Sequence, residues 1–167
     1  MRRRVKTQFA KNEIHGFVEG MLIELGNATE FDTHTPDKHV IFNGKSLRDL
    51  CSQNALPNFT CAEILKSAAM IDVAWLRDGF PAKTFDVERT TNFQSALLRA
   101  FALRYFKATF FVVSSEERRA AFQKRLRTKP FSEIENCAKF VSHQDVHDAY
   151  RHAAKAKEAI KKSKIFD

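Results

Sequence analysis

Two apolar, strand-length segments on either side of Arg77-Asp78-Gly79 do most to restrict how this chain can fold. Ala69 to Leu76 is a compact apolar run containing one acid, Asp72, and Lys83 to Glu88 alternates Phe85 and Val87 with Asp86 and Glu88. Period-two alternation marks a strand with one buried face, and Asp-Gly between two such runs favours a tight hairpin because both residues tolerate positive φ. An antiparallel pair is expected. Asn92 to Phe106 then predicts a helix with Phe93, Leu97, Leu98, Phe101 and Leu103 on its apolar face. Thr109 to Ser114 and Ala138 to Ser142 read as further strands. Between them, Ser115 with Glu116 and Glu117 opens a helix to about Leu126. Earlier, Asn12 to Leu25 has helical spacing closed by Gly26 and Asn27, residues 30–44 read as a short strand and loops, and a short helix is expected near Ala62 to Ala69. A basic helix from about Gln144 to Lys162 ends the pattern. Strands separated by helices after a hairpin imply an α/β fold, a mixed sheet flanked by helices.

At 167 residues the chain fits one domain with a core of its own. Its formal charge is +8, with basic residues gathered at Arg2, Arg3, Arg4 and Lys6, from Arg118 to Lys129, and from Lys155 to Lys164. Such patches suit a polyphosphate, which releases condensed counterions when it binds. The same charge also serves plain solubility, so charge alone leaves a nucleic-acid partner open. Cys51, Cys61 and Cys137 show no CxxC spacing, which points to a reducing compartment rather than a disulfide framework. With no signal-peptide pattern and no apolar stretch long enough to span a bilayer, a soluble cytoplasmic protein is expected.

On one strand face, Asp86 and Glu88 stand roughly 7 Å apart, and Asp72 on a neighbouring strand would add a third carboxylate. Carboxylates at close range raise one another's pKa, and a divalent cation resolves the repulsion. Oxygen ligands alone suit Mg2+ or Mn2+, which can polarise a phosphodiester and acidify a water. Taken by themselves the residues leave another reading open, in which Asp86 and Glu88 are the solvent-facing half of an edge strand.

Ile71-Asp72-Val73-Ala74-Trp75-Leu76 and Phe85-Asp86-Val87-Glu88-Arg89-Thr90-Thr91, followed by Ala96-Leu97-Leu98-Arg99, resemble the core of restriction-endonuclease-like proteins, the PD-(D/E)XK nuclease superfamily. Gly20 to Gly26 resembles that family's first helix with its acid, Phe110 to Val113 its next core strand, and Pro130-Phe131 with Phe140 to Ser142 its closing segment. The resemblance covers roughly Asn12 to Tyr150. It implies a restriction-endonuclease-like mixed β-sheet flanked by α-helices over 12–150, between a basic N-terminal arm (1–11) and a basic C-terminal helix extension (151–167). It further implies a Mg2+- or Mn2+-dependent endonuclease acting on DNA, with Asp72 and Asp86 as metal ligands. The departure is Glu88, which stands where the family carries lysine. Glu88 is then a further ligand or the group that orients the attacking water, and Lys83 or Arg99 replaces the lost positive charge. Glu24 is expected as an outer carboxylate, preferred to Glu19 because its helical angle borders the apolar face. The missing lysine keeps a second class open, a catalytically silent nucleic-acid-binding module on the same fold. A third is a protein-interaction domain for an acidic partner. A homodimer fits enzymes that pair two active sites for double-strand cuts.

Gln94 and Arg99, with Arg89 as a weaker candidate, lie where a phosphate would meet a helix start, although a solvated helix start explains them equally. His143, His147 and His152 have spacing compatible with nitrogen ligands but are expected as surface histidines. Phe101, Tyr105, Phe106, Phe110 and Phe111 read as core rather than as a base-stacking platform, whereas Arg118, Arg119, Lys124, Arg125, Arg127 and Lys129 suit a phosphate backbone.

Overall fold

A computed structural model describes residues 2–90 and 92–163, with side chains from Ile14 onward. The side chains of Arg2, Arg3, Arg4 and Lys6, along with Thr91 and residues 164–167, lie outside the described residues.

Helix α1 (Arg2–Ala28) leads into β1 (Asp32–His34), a small ladder of β2 (Ile41–Phe42) and β3 (Lys45–Ser46), and short helices α2 (Leu47–Leu50) and α3 (Ala62–Ala68). Then come β4 (Val73–Arg77), β5 (Phe80–Val87), α4 (Gln94–Ala102), β6 (Thr109–Ser114), α5 (Arg119–Leu126), β7 (Ala138–Ser142) and α6 (His143–Lys162). The expected hairpin is β4–β5, closed by Asp78 at φ 53° and Gly79 at φ 81°, the doubly positive turn that matches strand twist. Strands run in the order β1-β4-β5-β6-β7; the first two pairings are antiparallel and the last two parallel. This is the mixed α/β sheet the sequence implies. Helix α1 runs unbroken through residue 11, and α6 runs through residue 150 as the expected basic helix does.

Helices cover both faces of the sheet. On one, Val18, Met21, Leu22 and Ile23 of α1 pack with Phe42, Trp75, Phe85, Val113 and Val146. On the other, Leu97 and Ala100 of α4 pack with Phe110, Val112, Phe122, Phe131 and Ile134. The half-buried strand expected over Lys83 to Glu88 is therefore corrected. Thr84, Phe85, Asp86 and Val87 are all buried, because the crossover from β5 through α4 to β6 puts a helix over the face that Asp86 occupies.

Close packing of α1 depends on Gly20, where an added Cβ would lie 2.2 Å from Cγ of Phe42. Alanine normally gains about 1 kcal/mol over glycine within a helix, whereas overpacking costs about 1–3 kcal/mol. Gly20→Ala is expected to lower Tm by a few degrees, read by thermal denaturation; an unchanged or higher Tm would mean that Phe42 is not seated against the helix. Among the described residues, no helix is long and apolar enough to cross a membrane.

Candidate functional site

Antiparallel register places Val73 opposite Phe85, so one step further Asp72 stands beside Asp86 at the end of the hairpin. There Asp72 Oδ2 accepts the Val87 N–H at 2.7 Å, which ties the entry of β4 to the exit of β5. Arg99 reaches across from α4. Its Nε donates to Asp86 Oδ1 at 2.8 Å, a terminal nitrogen forms an ion pair with the same oxygen at 2.6 Å, and the guanidinium lies 3.8 Å from Glu88 Oε1. Asp72, Asp86, Glu88 and Arg99 thus share one end of the sheet. Of Asp72, Asp86 and Glu88, Asp86 is the one that is fully enclosed, at 3% exposure.

The other candidates divide. Lys83 lies on the same face of β5 as Phe85, its Nζ 5.5 Å above the Phe31 ring and 5.2 Å above that of Trp75. It does not supply the missing charge, because three residues along a strand from Asp86 is the opposite face. Gln94 accepts a hydrogen bond from Arg125 and so turns toward α5 rather than toward the acids. Arg89 donates from Nε to His15 Nδ1 at 3.2 Å, at the edge of the site.

The expectation for α1 is also corrected. Glu24 lies in the seam between α1 and α6, accepting from the Tyr150 hydroxyl at 2.6 Å. Glu19 is the acid turned inward, at 0% exposure, and neither of its oxygens has a hydrogen-bond partner. Packing of α1 against both the sheet and the β2–β3 ladder widens its buried arc beyond the stripe that apolar spacing suggests. His15, one turn before Glu19, places Nε2 3.3 Å from Glu19 Oε1 and 3.7 Å from Asp72 Oδ1. Ligand atoms of His15, Glu19 and Asp37 lie within 4.8 Å of one another. Sequence reasoning missed this trio; the i,i+4 spacing of His15 and Glu19 was its one signal, and Asp37 comes from a loop that carries none.

A family model described as "Type II restriction enzyme NmeDI C-terminal domain" matches residues 2–165. The chain belongs to this family. No curated protein and no solved structure matches it. The match runs from the first turn of α1 past the end of α6, so every element that builds the site falls within the NmeDI C-terminal domain family.

In this member of the NmeDI C-terminal domain family Asp86, Glu19 and Glu88 hold their protons unusually well. Burial pushes the Asp86 carboxyl up to about 7 against the pull of Arg99, with Asp72 adding to the rise. Burial raises Glu19 to about 7 against the pull of His15, and it raises Glu88 against Arg99. For His15, burial favours the neutral ring, but Asp72 and Glu19 outweigh it and carry the group to about 9. The Arg89 contact requires Nδ1 to accept and so belongs to the neutral ring, whereas the protonated ring that Asp72 and Glu19 favour gives that contact up. The cluster is short of positive charge.

That shortage has a definite sign in stability. The folded Asp86 and Glu19 hold protons that the unfolded chain releases above about pH 4, so stability falls as pH rises toward 7. Stability from His15 is present below its unfolded value of 6.5 and is lost as pH rises through about 9. In EDTA, Tm is expected to fall from pH 5 to pH 9; a Tm that climbs across that range would contradict these assignments.

Proposed function

We propose that this family member is a Mg2+- or Mn2+-dependent endonuclease that hydrolyses DNA phosphodiester bonds at a PD-(D/E)XK-type site, with Glu88 at the lysine position. The observation that carries the reading is the gathering of Asp72, Asp86 and Glu88 at one strand end around Arg99. The family description, which names a restriction enzyme, and the basic character of the chain add support.

Carboxylate oxygens suit a hard divalent cation, and among the described residues the ligand atoms within 4.8 Å of one another are those of His15, Glu19 and Asp37 rather than those of Asp72, Asp86 and Glu88. Buried Glu19 offers two oxygens with no hydrogen-bond partner, and Arg99 engages Oδ1 of Asp86. Asp72 and Asp86 would hold the ion, with Glu19 in the outer role first expected of Glu24. When bound, such an ion polarises a phosphate oxygen and makes a water more acidic. Arg99 favours the ionised forms of Asp86 and Glu88 and offsets charge that develops on the attacked phosphate. Glu88, with its pKa shifted toward neutrality, orients the attacking water and takes its proton. Lys83 has no part in this.

A second reading, a silent DNA-binding module, is favoured by the close Arg99–Asp86 pair, which already gives Asp86 one positive partner. Incubation with DNA separates the two. The nuclease reading expects strand breaks with Mg2+ or Mn2+ and none in EDTA. The silent module expects salt-sensitive binding that needs no metal and survives Asp86→Ala, with the DNA left intact.

A further inference from the structure

Beside the acids, an open pocket of about 200 Å³ lies at the C-terminal ends of the three parallel strands. Val87 and Glu88 come from the end of β5, Ser115 from beyond β6, and His143 from the junction of β7 and α6; Ile14 and His15 of α1 form its far wall, with Arg89 and Arg118 completing it. Open α/β sheets collect ligands in crevices of this kind, where loops leave the carboxyl ends of parallel strands.

The lining is cationic on balance, with Arg89, Arg118 and His15 against one carboxylate, Glu88, and with His143 beside them. Neutral acceptors hold Arg118 in place: one terminal nitrogen donates to the Glu88 carbonyl at 3.3 Å and to Ser114 Oγ at 3.2 Å. Among the described residues, no carboxylate lies within ion-pair distance of the Arg118 guanidinium. A guanidinium positioned by neutral groups keeps its charge available to an anion. His143 Nε2 is buried with no hydrogen-bond partner, so a polar atom beside the pocket lacks a mate. Burial is the main cause that lowers the His143 pKa, and the charges of Arg118 and His15 add to it.

We propose that this pocket seats a phosphate group, held by Arg118 with His143, and that in the nuclease reading it takes a phosphodiester next to the one being cut. The inference rests on that reading for the source of the phosphate but not for its chemistry. Glu88 faces the same space and opposes an anion there, and Arg99 on its other side offsets that charge. The pocket therefore takes one phosphate of a strand that runs past the acids, and it gives the strand a register relative to them.

The test compares wild type with Arg118→Gln and Arg118→Lys, in EDTA, by fluorescence anisotropy on a labelled duplex. The imidazole NMR resonances of His143 are followed in parallel as inorganic phosphate is added. Arg118→Gln is expected to weaken DNA binding about tenfold and to flatten the salt slope by about one unit, while Arg118→Lys keeps most of that slope. Phosphate is expected to shift the His143 resonances in wild type and not in Arg118→Gln. Equal Tm for the variants shows that the contacts of Arg118 to Glu88 and Ser114 are not what is being read. If wild type binds DNA and Arg118→Gln binds it with the same Kd and slope, the pocket assignment is wrong and the nuclease reading stands. If DNA is neither bound nor cut while phosphate shifts His143 in an Arg118-dependent way, the pocket stands as a site for a small phosphate ester and the nuclease reading falls. If phosphate leaves His143 unmoved in wild type, the assignment is overturned.

Discussion

Asp72→Asn is expected to cut DNA cleavage by about 10³-fold or more, a loss of roughly 4 kcal/mol of barrier lowering, with Tm within a few degrees of wild type. The substitution separates two jobs of one side chain. Asn keeps an oxygen able to accept the Val87 N–H, which Asp72 Oδ2 now accepts at 2.7 Å, so the junction of β4 and β5 survives. It removes the charge that a divalent cation needs and that favours the proton on His15. DNA binding in EDTA is expected to hold or strengthen, because a negative charge has left a basic chain. Cleavage within tenfold of wild type would remove Asp72 from the proposed metal site.

Arg99→Met is expected to be the most destabilising single change at the site, costing about 3–5 kcal/mol and lowering Tm by on the order of 10 °C. Asp86 is 3% exposed, and Arg99 both donates a hydrogen bond to it and pairs with it as an ion. Removing the guanidinium strands a buried carboxylate, which must take a proton or stay charged without a partner. Asp86→Asn in the same chain removes that demand and is expected to restore more than half of the lost stability, the non-additivity that marks a direct pair. If the two changes instead add, or if Arg99→Met costs under about 1 kcal/mol, solvent screens the pair.

Much of the sheet was legible because its signals are local. Asp78-Gly79 specifies its own turn, and the continuous apolar character of Thr109 to Ser114 and the short run from Ala138 to Ser142 give β6 and β7 with their observed bounds. What failed was inference about faces. The alternation of Phe85, Asp86, Val87 and Glu88 says which residues share a face, but not whether a helix covers the polar one; α4 does. The parity of β5 already sets Lys83 opposite to Asp86, and a strict use of that parity would have excluded it at once. Glu19 was misjudged against Glu24 because the apolar stripe of α1 was assumed to be its whole buried surface, whereas the β2–β3 ladder covers a second flank. His143 was expected on the surface, and the pairing of β7 with β6 brings it to the pocket beside Arg118. Arg119 and Arg125, expected to face a phosphate backbone, are instead engaged by Glu116 and Gln94. Such placements depend on which elements are neighbours in space, and no window of the sequence records that.

The most direct measurement is incubation of supercoiled plasmid with the purified protein in Mg2+, Mn2+ or EDTA, beside Asp72→Asn under the same conditions. A nuclease of the kind proposed yields nicked or linear plasmid only with the metal and only with the wild-type chain. Plasmid that stays intact with either metal, or is cut equally by Asp72→Asn or in EDTA, would contradict a metal-dependent site at Asp72, Asp86 and Glu88.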